Sequence, residues 1–115
     1  MDNVKNDKFY VDKIIDDINF IIKHTNNITK EEFESDNVIN SAISFKFIQI
    51  SENSRHISQE TINNYPLVEW KSIVGLRNRI VHDYGNVNLT IIYKTCKENL
   101  NVLLVQLLEI RRTLN

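Results

Sequence analysis

Apolar residues recur every three or four positions along four stretches of the chain, which is the spacing of amphipathic helices. The first stretch runs from Phe9 to about His24, and its inward positions are Val11, Ile14, Ile15, Ile18, Ile21 and Ile22. Capping-box spacing at Thr29 predicts a short extra helical turn, after which Asp36 can cap a second long helix that runs to about Ile62. The pattern therefore predicts two long helices in the first half of the chain.

The second predicted helix carries two apolar stripes rather than one. Ile39, Ile43, Phe47, Ile50 and Ile57 form one stripe, and Ala42, Phe45 and Ile48 form the other. A helix with one buried face needs only one stripe. We therefore expect this helix to contact neighbours on two sides.

Residues that end or begin helices mark the limits of the two remaining helices. Pro66 cannot donate the backbone N–H that a helix interior needs, so the third helix begins at Leu67 or Val68, and Gly85 supplies its stop. Asn88 can cap a fourth helix from Leu89 to about Thr113. Its inward positions are Ile92, Cys96, Leu100, Leu103, Leu104 and Leu107. We expect an all-α fold, an antiparallel four-helix bundle in which residues 1–115 form a single domain.

Composition supports this interpretation and limits the function. The 115 residues are 42% hydrophobic and 25% charged, with 2 Gly and 1 Pro, which argues against disorder and turn-rich β architectures. A net charge of -1 excludes a surface that is basic overall. Residues 1–36 hold 9 acidic and 5 basic side chains, whereas residues 37–115 hold 6 and 9. A basic patch is therefore expected in the second part of the chain.

Cysteine usage and the N-terminal segment point to the cytoplasm. Cys96 is the single cysteine, so it forms no internal disulfide, and we expect it to be a small buried hydrophobe. Residues 1–8 are polar and lack the apolar core of a secretion signal. No window has the roughly 18 apolar residues that cross a bilayer, so no membrane association is expected.

The residues with the most chemistry lie between Gly75 and Gly85. Arg77 and Tyr84 are two helical turns apart and share the apolar face of the third predicted helix. An arginine there either reaches the rim with its stem along the apolar surface, or it pairs with another residue or an anionic ligand. Both alternatives remain open from the sequence.

His82 follows Arg77 by five residues, which puts it about 140° away around a continuous helix. The two side chains can converge if the helix loosens before Gly85, or if a second copy of the segment supplies one of them. Alternatively, His82 is a charge that favours a helix C-terminus. Arg79 and Asp83 are spaced as a surface ion pair.

An imidazole and a guanidinium are the groups that metal-independent RNA cleavage requires. His82 can move a proton near neutral pH, and Arg77 can hold non-bridging phosphate oxygens. The 2′-hydroxyl is then the nucleophile, and phosphodiester hydrolysis proceeds through a 2′,3′-cyclic phosphate. His24, His56 and His82 lie on different segments, so no metal site is expected. Without a glycine-rich phosphate loop, no cofactor is expected either.

The spacing of Arg77, His82 and Tyr84 resembles the R-x4-H-x-Y signature of HEPN domains of the HepT-like toxin family. The resemblance extends to Phe33-Glu34-Ser35-Asp36 before the second helix, and to Tyr65-Pro66 followed by Trp70 before the third. It covers nearly the whole chain. One departure is Ser51-Glu52-Asn53, where relatives usually carry Gly-Glu-Ala.

The resemblance implies a homodimeric endoribonuclease toxin in which both copies of Arg77 and His82 line one cleft, with transfer RNA as the expected substrate. It also implies a minimal nucleotidyltransferase antitoxin of the MntA type, which silences the toxin by transferring AMP from ATP to Tyr84. The predicted substrate-binding residues are Asn78, Arg79 and Glu52. Glu52 can orient His82 or pair with Arg77, and the alternative is an exposed glutamate in contact only with water.

Two other functions are compatible with the same residues. One is a non-catalytic helical module that binds a nucleotidyltransferase partner or a nucleotide through the motif. The other is a structural bundle without RNA contact.

Overall fold

Helices dominate the computed structural model, which describes residues 6–82 and 86–114. The elements are α1 (Asp7–Thr25), α2 (Lys30–Ser35), α3 (Asn37–Ser54), α4 (Gln59–Asn64), α5 (Trp70–Val74), α6 (Leu76–Ile80), β1 (Val81–His82), β2 (Asn86–Val87), α7 (Leu89–Glu98) and α8 (Leu100–Thr113). The predicted all-α antiparallel four-helix bundle is confirmed. Its four rods are α1, α3, α5 with α6, and α7 with α8.

The core lies where α1 meets α3 and α8. The Asn6 side chain accepts from the Phe9 N–H at the start of α1, and Asp36 accepts from Val38 and Ile39 at the start of α3. The predicted inward face of α1 is buried at Val11, Ile14, Ile15, Ile18 and Ile21. Buried apolar side chains from all four rods join in one cluster.

The second predicted helix is shorter than the apolar pattern indicates, because α3 ends at Ser54 instead of continuing to about Ile62. The chain turns and restarts as α4, where the Ser58 side chain accepts from the Thr61 N–H. The Asp7 carboxylate accepts a hydrogen bond from the Ser58 N–H at 2.8 Å. It also accepts from the hydroxyls of Ser58 and Thr61. This long-range contact holds the new cap against α1, and no local pattern reveals it.

The third predicted helix is interrupted at Gly75 and ends at Ile80, before the expected stop at Gly85. The Ser51 hydroxyl donates to the Val74 carbonyl at 2.6 Å, which satisfies a carbonyl at the interruption. Val81 then pairs with Val87 in an antiparallel strand pair. β-Branched residues favour strands, so the early end of the helix has a local cause as well.

The fourth predicted helix is interrupted at Asn99, between α7 and α8. The backbone N–H of Asn99 still donates to the Thr95 carbonyl, which is the hydrogen bond of a continuous helix. Asparagine competes with helix geometry through its short polar side chain, which explains a break at this position. The predicted outer limits of the rod, Leu89 and Thr113, are confirmed.

Polar contacts fasten the first and last helices to each other and to their neighbours. Arg111 on α8 forms an ion pair with Asp12 on α1. The hydroxyls of Tyr65 and Thr113 are 2.8 Å apart. These contacts join segments that are 99 and 48 residues apart in sequence.

The outer surface of α3 keeps apolar side chains in solvent. Val38 is 79% exposed and Phe45 is 58% exposed. α3 packs against α1 on one side and against α5 and α6 on another, so the prediction of neighbours on two sides is confirmed. Of the stripe that contains Phe45, Ala42 and Ile48 are partly buried, and only Phe45 is exposed. Among the residues the structure describes, no helix is long and apolar enough to cross a membrane.

Candidate functional site

A five-residue helix, α6, carries the described basic residues of the motif. Leu76 and Ile80 are buried and fix the helix to the core, with exposed fractions of 5% and 0%. Arg77, Asn78 and Arg79 lie between these anchors and are all exposed. The helix thus presents two guanidiniums and an amide to solvent from a rigid base.

Arg77 reaches solvent, although its spacing places it on the apolar face of a continuous helix. Its guanidinium forms no ion pair or hydrogen bond with any described residue. Of the two alternatives that the sequence leaves open, the structure therefore favours the stem that reaches the rim. The guanidinium remains available for an anion, and its exposure means that it carries no cost of buried charge.

Arg79 lies further along α6 and is held across the helix interruption. Its Nη2 donates to the Ser72 carbonyl at 3.4 Å, which directs the side chain along α5. The partner that its spacing predicts, Asp83, lies outside the described residues. Arg77 and Arg79 together make this edge of the molecule locally basic, as the charge distribution predicts.

The backbone of His82 lies in β1, opposite Asn86. Because α6 ends at Ile80, the angle of about 140° expected for a continuous helix does not apply. This early end is the loosening that one of the two sequence alternatives requires. The imidazole of His82 and the whole of Tyr84 fall outside the part of the chain that the structure describes.

Glu52 does not join Arg77 within the described residues. It is exposed near the end of α3, with no ion pair to Arg77. Its neighbour Ser51 is fully buried and donates a hydrogen bond to the Val74 carbonyl of the third rod. The departure from Gly-Glu-Ala therefore adds a tether between α3 and the site segment.

A groove of about 350 Å³ runs beside α6, between α5 and α6 on one side and α7 and α8 on the other. Its lining is aliphatic at the base and polar at the edge: Phe47, Ile50, Leu67, Glu69, Ser72, Ile73, Leu76, Arg79, Thr95, Asn99, Leu100, Val102, Leu103 and Gln106. The sequence predictions missed this groove. Its sequence signal is Asn99, a polar residue that interrupts the apolar spacing between Cys96 and Leu100.

Other chemistries find little support in the described residues. They contain no group of three or more His, Cys, Asp or Glu side chains that could hold a metal ion. Cys96 is buried, as predicted, and burial raises the pKa of its thiol to about 11. A thiol in this state is largely protonated at neutral pH and is a poor nucleophile.

Comparison with known proteins identifies similarity along most of the chain. The sequence profile described as "Ribonuclease HepT-like" matches residues 14–110, a range that includes α6 and β1. No solved structure matches the chain.

Several curated proteins are similar at moderate identity. A protein of Methanocaldococcus jannaschii named as a putative RNase is 32% identical over 80% of this chain and 84% of its own length. A putative RNase of Caldanaerobacter subterraneus subsp. tengcongensis is 29% identical over 93% of this chain and 96% of its own. A protein of Thermococcus cleftensis named "Probable ribonuclease HepT" is 27% identical over 81% and 84%.

Proposed function

The chain belongs to the HepT-like ribonuclease family, and on that premise we propose that it is a metal-independent endoribonuclease toxin with transfer RNA as its substrate. The observation that carries the proposal is the exposed guanidinium of Arg77, which has no partner among the described residues and precedes the His82 position by five residues. A cation fixed by a buried helix base and left without a counter-charge is suited to a phosphodiester.

Cleavage by these residues needs only the RNA itself as nucleophile. His82 takes the proton from the 2′-hydroxyl, whose oxygen forms a bond to the adjacent phosphorus. Arg77 binds the non-bridging oxygens, on which negative charge grows in the transition state. The bond from phosphorus to the 5′-oxygen breaks, that oxygen takes a proton from water, and His82 then releases its proton to solvent. The products are a 2′,3′-cyclic phosphate and a 5′-hydroxyl, and water can then open the cyclic phosphate.

The proposed active form is a homodimer with both copies of Arg77 and His82 along one cleft. The exposed apolar side chains of Val38 and Phe45 on α3 support it, because a second copy would bury them. Within the cleft, Asn78, Arg79 and Glu52 are the proposed substrate-binding residues. The exposure of all three leaves them accessible to an RNA strand.

The proposed regulator is a minimal nucleotidyltransferase antitoxin that acts on Tyr84 in the cytoplasm. The phenol oxygen of Tyr84 attacks the α-phosphate of ATP, pyrophosphate leaves and the phenolic proton is lost. Each added AMP brings a phosphate near the segment of Arg77 and Arg79, which form no ion pair within the described part of the chain. The phosphate would occupy Arg77 and repel an incoming RNA backbone, which supports a silencing role.

The test is RNA cleavage by the purified chain in excess chelator, with analysis of the product ends. Arg77→Ala and His82→Ala are compared with Arg112→Ala, which removes an exposed arginine on α8. We expect cyclic phosphate ends from the parent and the Arg112 variant, and loss of cleavage in the other two. Circular dichroism verifies that each variant is folded.

If the parent protein shows no cleavage, its mass is first measured by mass spectrometry to detect AMP on Tyr84. If the residue is modified, the bare protein is prepared and tested again. A bare, folded protein that cleaves no RNA refutes the ribonuclease proposal and favours the non-catalytic module that binds a nucleotidyltransferase or a nucleotide.

A further inference from the structure

The groove beside α6 has the size and the mixed lining of a small-ligand site. Its volume of about 350 Å³ lies at the lower end of the range for such pockets, roughly 300–1,000 Å³. The aliphatic part of the lining includes Ile73 and Leu76 from α5 and α6, and Leu100 and Leu103 from α8. Two aliphatic walls of this kind can enclose the flat faces of a nucleobase.

Two polar groups of the lining have unused hydrogen-bonding capacity. The side-chain amide of Asn99 and the hydroxyl of Ser72 form no hydrogen bond with any described residue. Asn99 lies at the interruption between α7 and α8, and Ser72 lies on α5 across the groove. An amide both donates and accepts, which is what the edge of a nucleobase requires.

Charge is distributed unevenly along the groove. Arg79 lies at one end, and Arg77 precedes it by two residues outside the lining. Glu69, the acidic residue of the lining, precedes α5, whereas Arg79 lies near the end of α6. The Arg79 end therefore attracts a phosphate, while the carboxylate of Glu69 lies away from it.

We propose that this groove binds one nucleotide of a single-stranded RNA, next to the phosphate that is cleaved. The base lies between the aliphatic walls with its edge at Asn99 and Ser72, and its phosphate lies at Arg79. This inference rests on the proposed ribonuclease function and extends it, because it assigns base recognition to α7 and α8 instead of the motif. Single-stranded RNA suits the groove because its unstacked bases can enter a pocket.

The lining favours a nucleotide over an apolar side chain from a protein partner. A leucine or isoleucine in the groove would fill the aliphatic space but would leave the amide of Asn99 and the hydroxyl of Ser72 without partners. Burying such groups unpaired is unfavourable. A nucleotide supplies polar edges and an anion at the same positions.

The experiment measures binding of labelled hexaribonucleotides of A, C, G and U by fluorescence anisotropy, in a His82→Ala background that prevents cleavage. Asn99→Ala removes the amide from the groove, and Asn101→Ala removes an exposed amide from α8 outside the lining. We expect the background protein to prefer one base. We expect Asn99→Ala to weaken that complex about 10-fold and to reduce the preference, and Asn101→Ala to leave both unchanged.

A second variant tests occupancy of the space itself. Val102 lines the groove and is 60% exposed, so Val102→Trp fills the groove with little effect on the core. It should weaken binding of the preferred hexanucleotide at least as much as Asn99→Ala. Val105→Trp, at a 67% exposed position outside the lining, is its matched control and should bind normally.

The outcomes separate this inference from the function on which it rests. If the parent cleaves RNA while Asn99→Ala and Val102→Trp bind all four hexanucleotides as the background does, the groove assignment is wrong and the ribonuclease stands. If the parent neither cleaves nor binds RNA, both proposals fail. If Val102→Trp instead dissociates a dimer in sedimentation while RNA binding is kept, the groove is an interface between two copies.

Discussion

Ser51 and Val74 link the central helix to the site segment through one hydrogen bond of 2.6 Å between a hydroxyl and a carbonyl. Ser51 is fully buried on α3, and Val74 ends α5 three residues before Arg77. Among the described residues, this hydroxyl is the only donor to the Val74 carbonyl. The position of Arg77 therefore depends on a side chain that itself has no place in the chemistry.

Ser51→Ala should destabilise the protein by about 1–3 kcal/mol, because it leaves the Val74 carbonyl without a partner. Ser54→Ala is the control, since the Ser54 hydroxyl is also buried but donates to the Ile50 carbonyl within its own helix. That carbonyl keeps a backbone partner, so a smaller loss is expected. Urea unfolding of both variants gives the two free energies. Equal losses would show that the link between α3 and α5 adds no stability.

Arg77→Lys distinguishes a bidentate phosphate contact from a simple charge. Lysine keeps the positive charge but not the planar fork of donors, so we expect its cleavage rate to lie between that of the parent and that of Arg77→Ala. The alanine variant should lose about 100-fold or more in kcat. Because Arg77 is exposed, the free energy of unfolding of both variants should stay within about 0.5 kcal/mol of the parent value. Full activity in the lysine variant would exclude a bidentate contact.

Asp7 should make stability depend on acid pH. Burial raises the pKa of its carboxyl, but hydrogen bonds from Ser58 and Thr61 outweigh this and hold the pKa below its usual 3.8. A depressed pKa stabilises the fold above the unfolded-state value, and this stabilisation is lost as the pH falls through the folded-state value.

Asp7→Asn tests this dependence directly. The variant should lose about 1 kcal/mol near neutral pH, and its difference from the parent should vanish well below pH 3.8. Asp16→Asn changes an exposed aspartate of the same helix and is the control. Unfolding in urea at pH values from neutral to strongly acidic measures the effect, and a constant difference across that range contradicts it.

Phe45→Ser tests whether the exposed apolar side chains of α3 join two copies of the chain. Removal of a 58% exposed phenylalanine should leave the monomer fold intact and shift sedimentation from dimer to monomer. Val105→Ser, which removes a 67% exposed apolar residue from α8, should leave the dimer unchanged. The opposite result would place the interface on α8, and a monomeric parent would contradict the composite cleft.

The apolar spacing was sufficient to predict the four rods, because each rod buries apolar side chains at helical spacing. It was insufficient to locate their interruptions, since these depend on contacts between distant segments. The restart at Ser58 involves Asp7, and the break at Gly75 involves Ser51. Periodicity continues through both places and gives no local signal of either contact.

The candidate site was predictable in its residue types and less so in its geometry. Arg77 was identified from its spacing, but a continuous helix implied a position on the apolar face, whereas α6 is short and leaves the guanidinium in solvent. The roles of Arg77, His82 and Tyr84 remain predictions. The groove was missed because its two walls are formed by helices that are adjacent only after folding.

The contact between α1 and α8 also bears on the order in which the segments of the chain can fold during synthesis. Asp12 emerges early, and its partner Arg111 follows 99 residues later. α3 can cover one side of α1 soon after synthesis, but the other side stays open until α8 has left the exit tunnel. The core is therefore complete only after α8 has left the exit tunnel, and the surface that α6 presents from that core is among the last parts of the described fold to become stable.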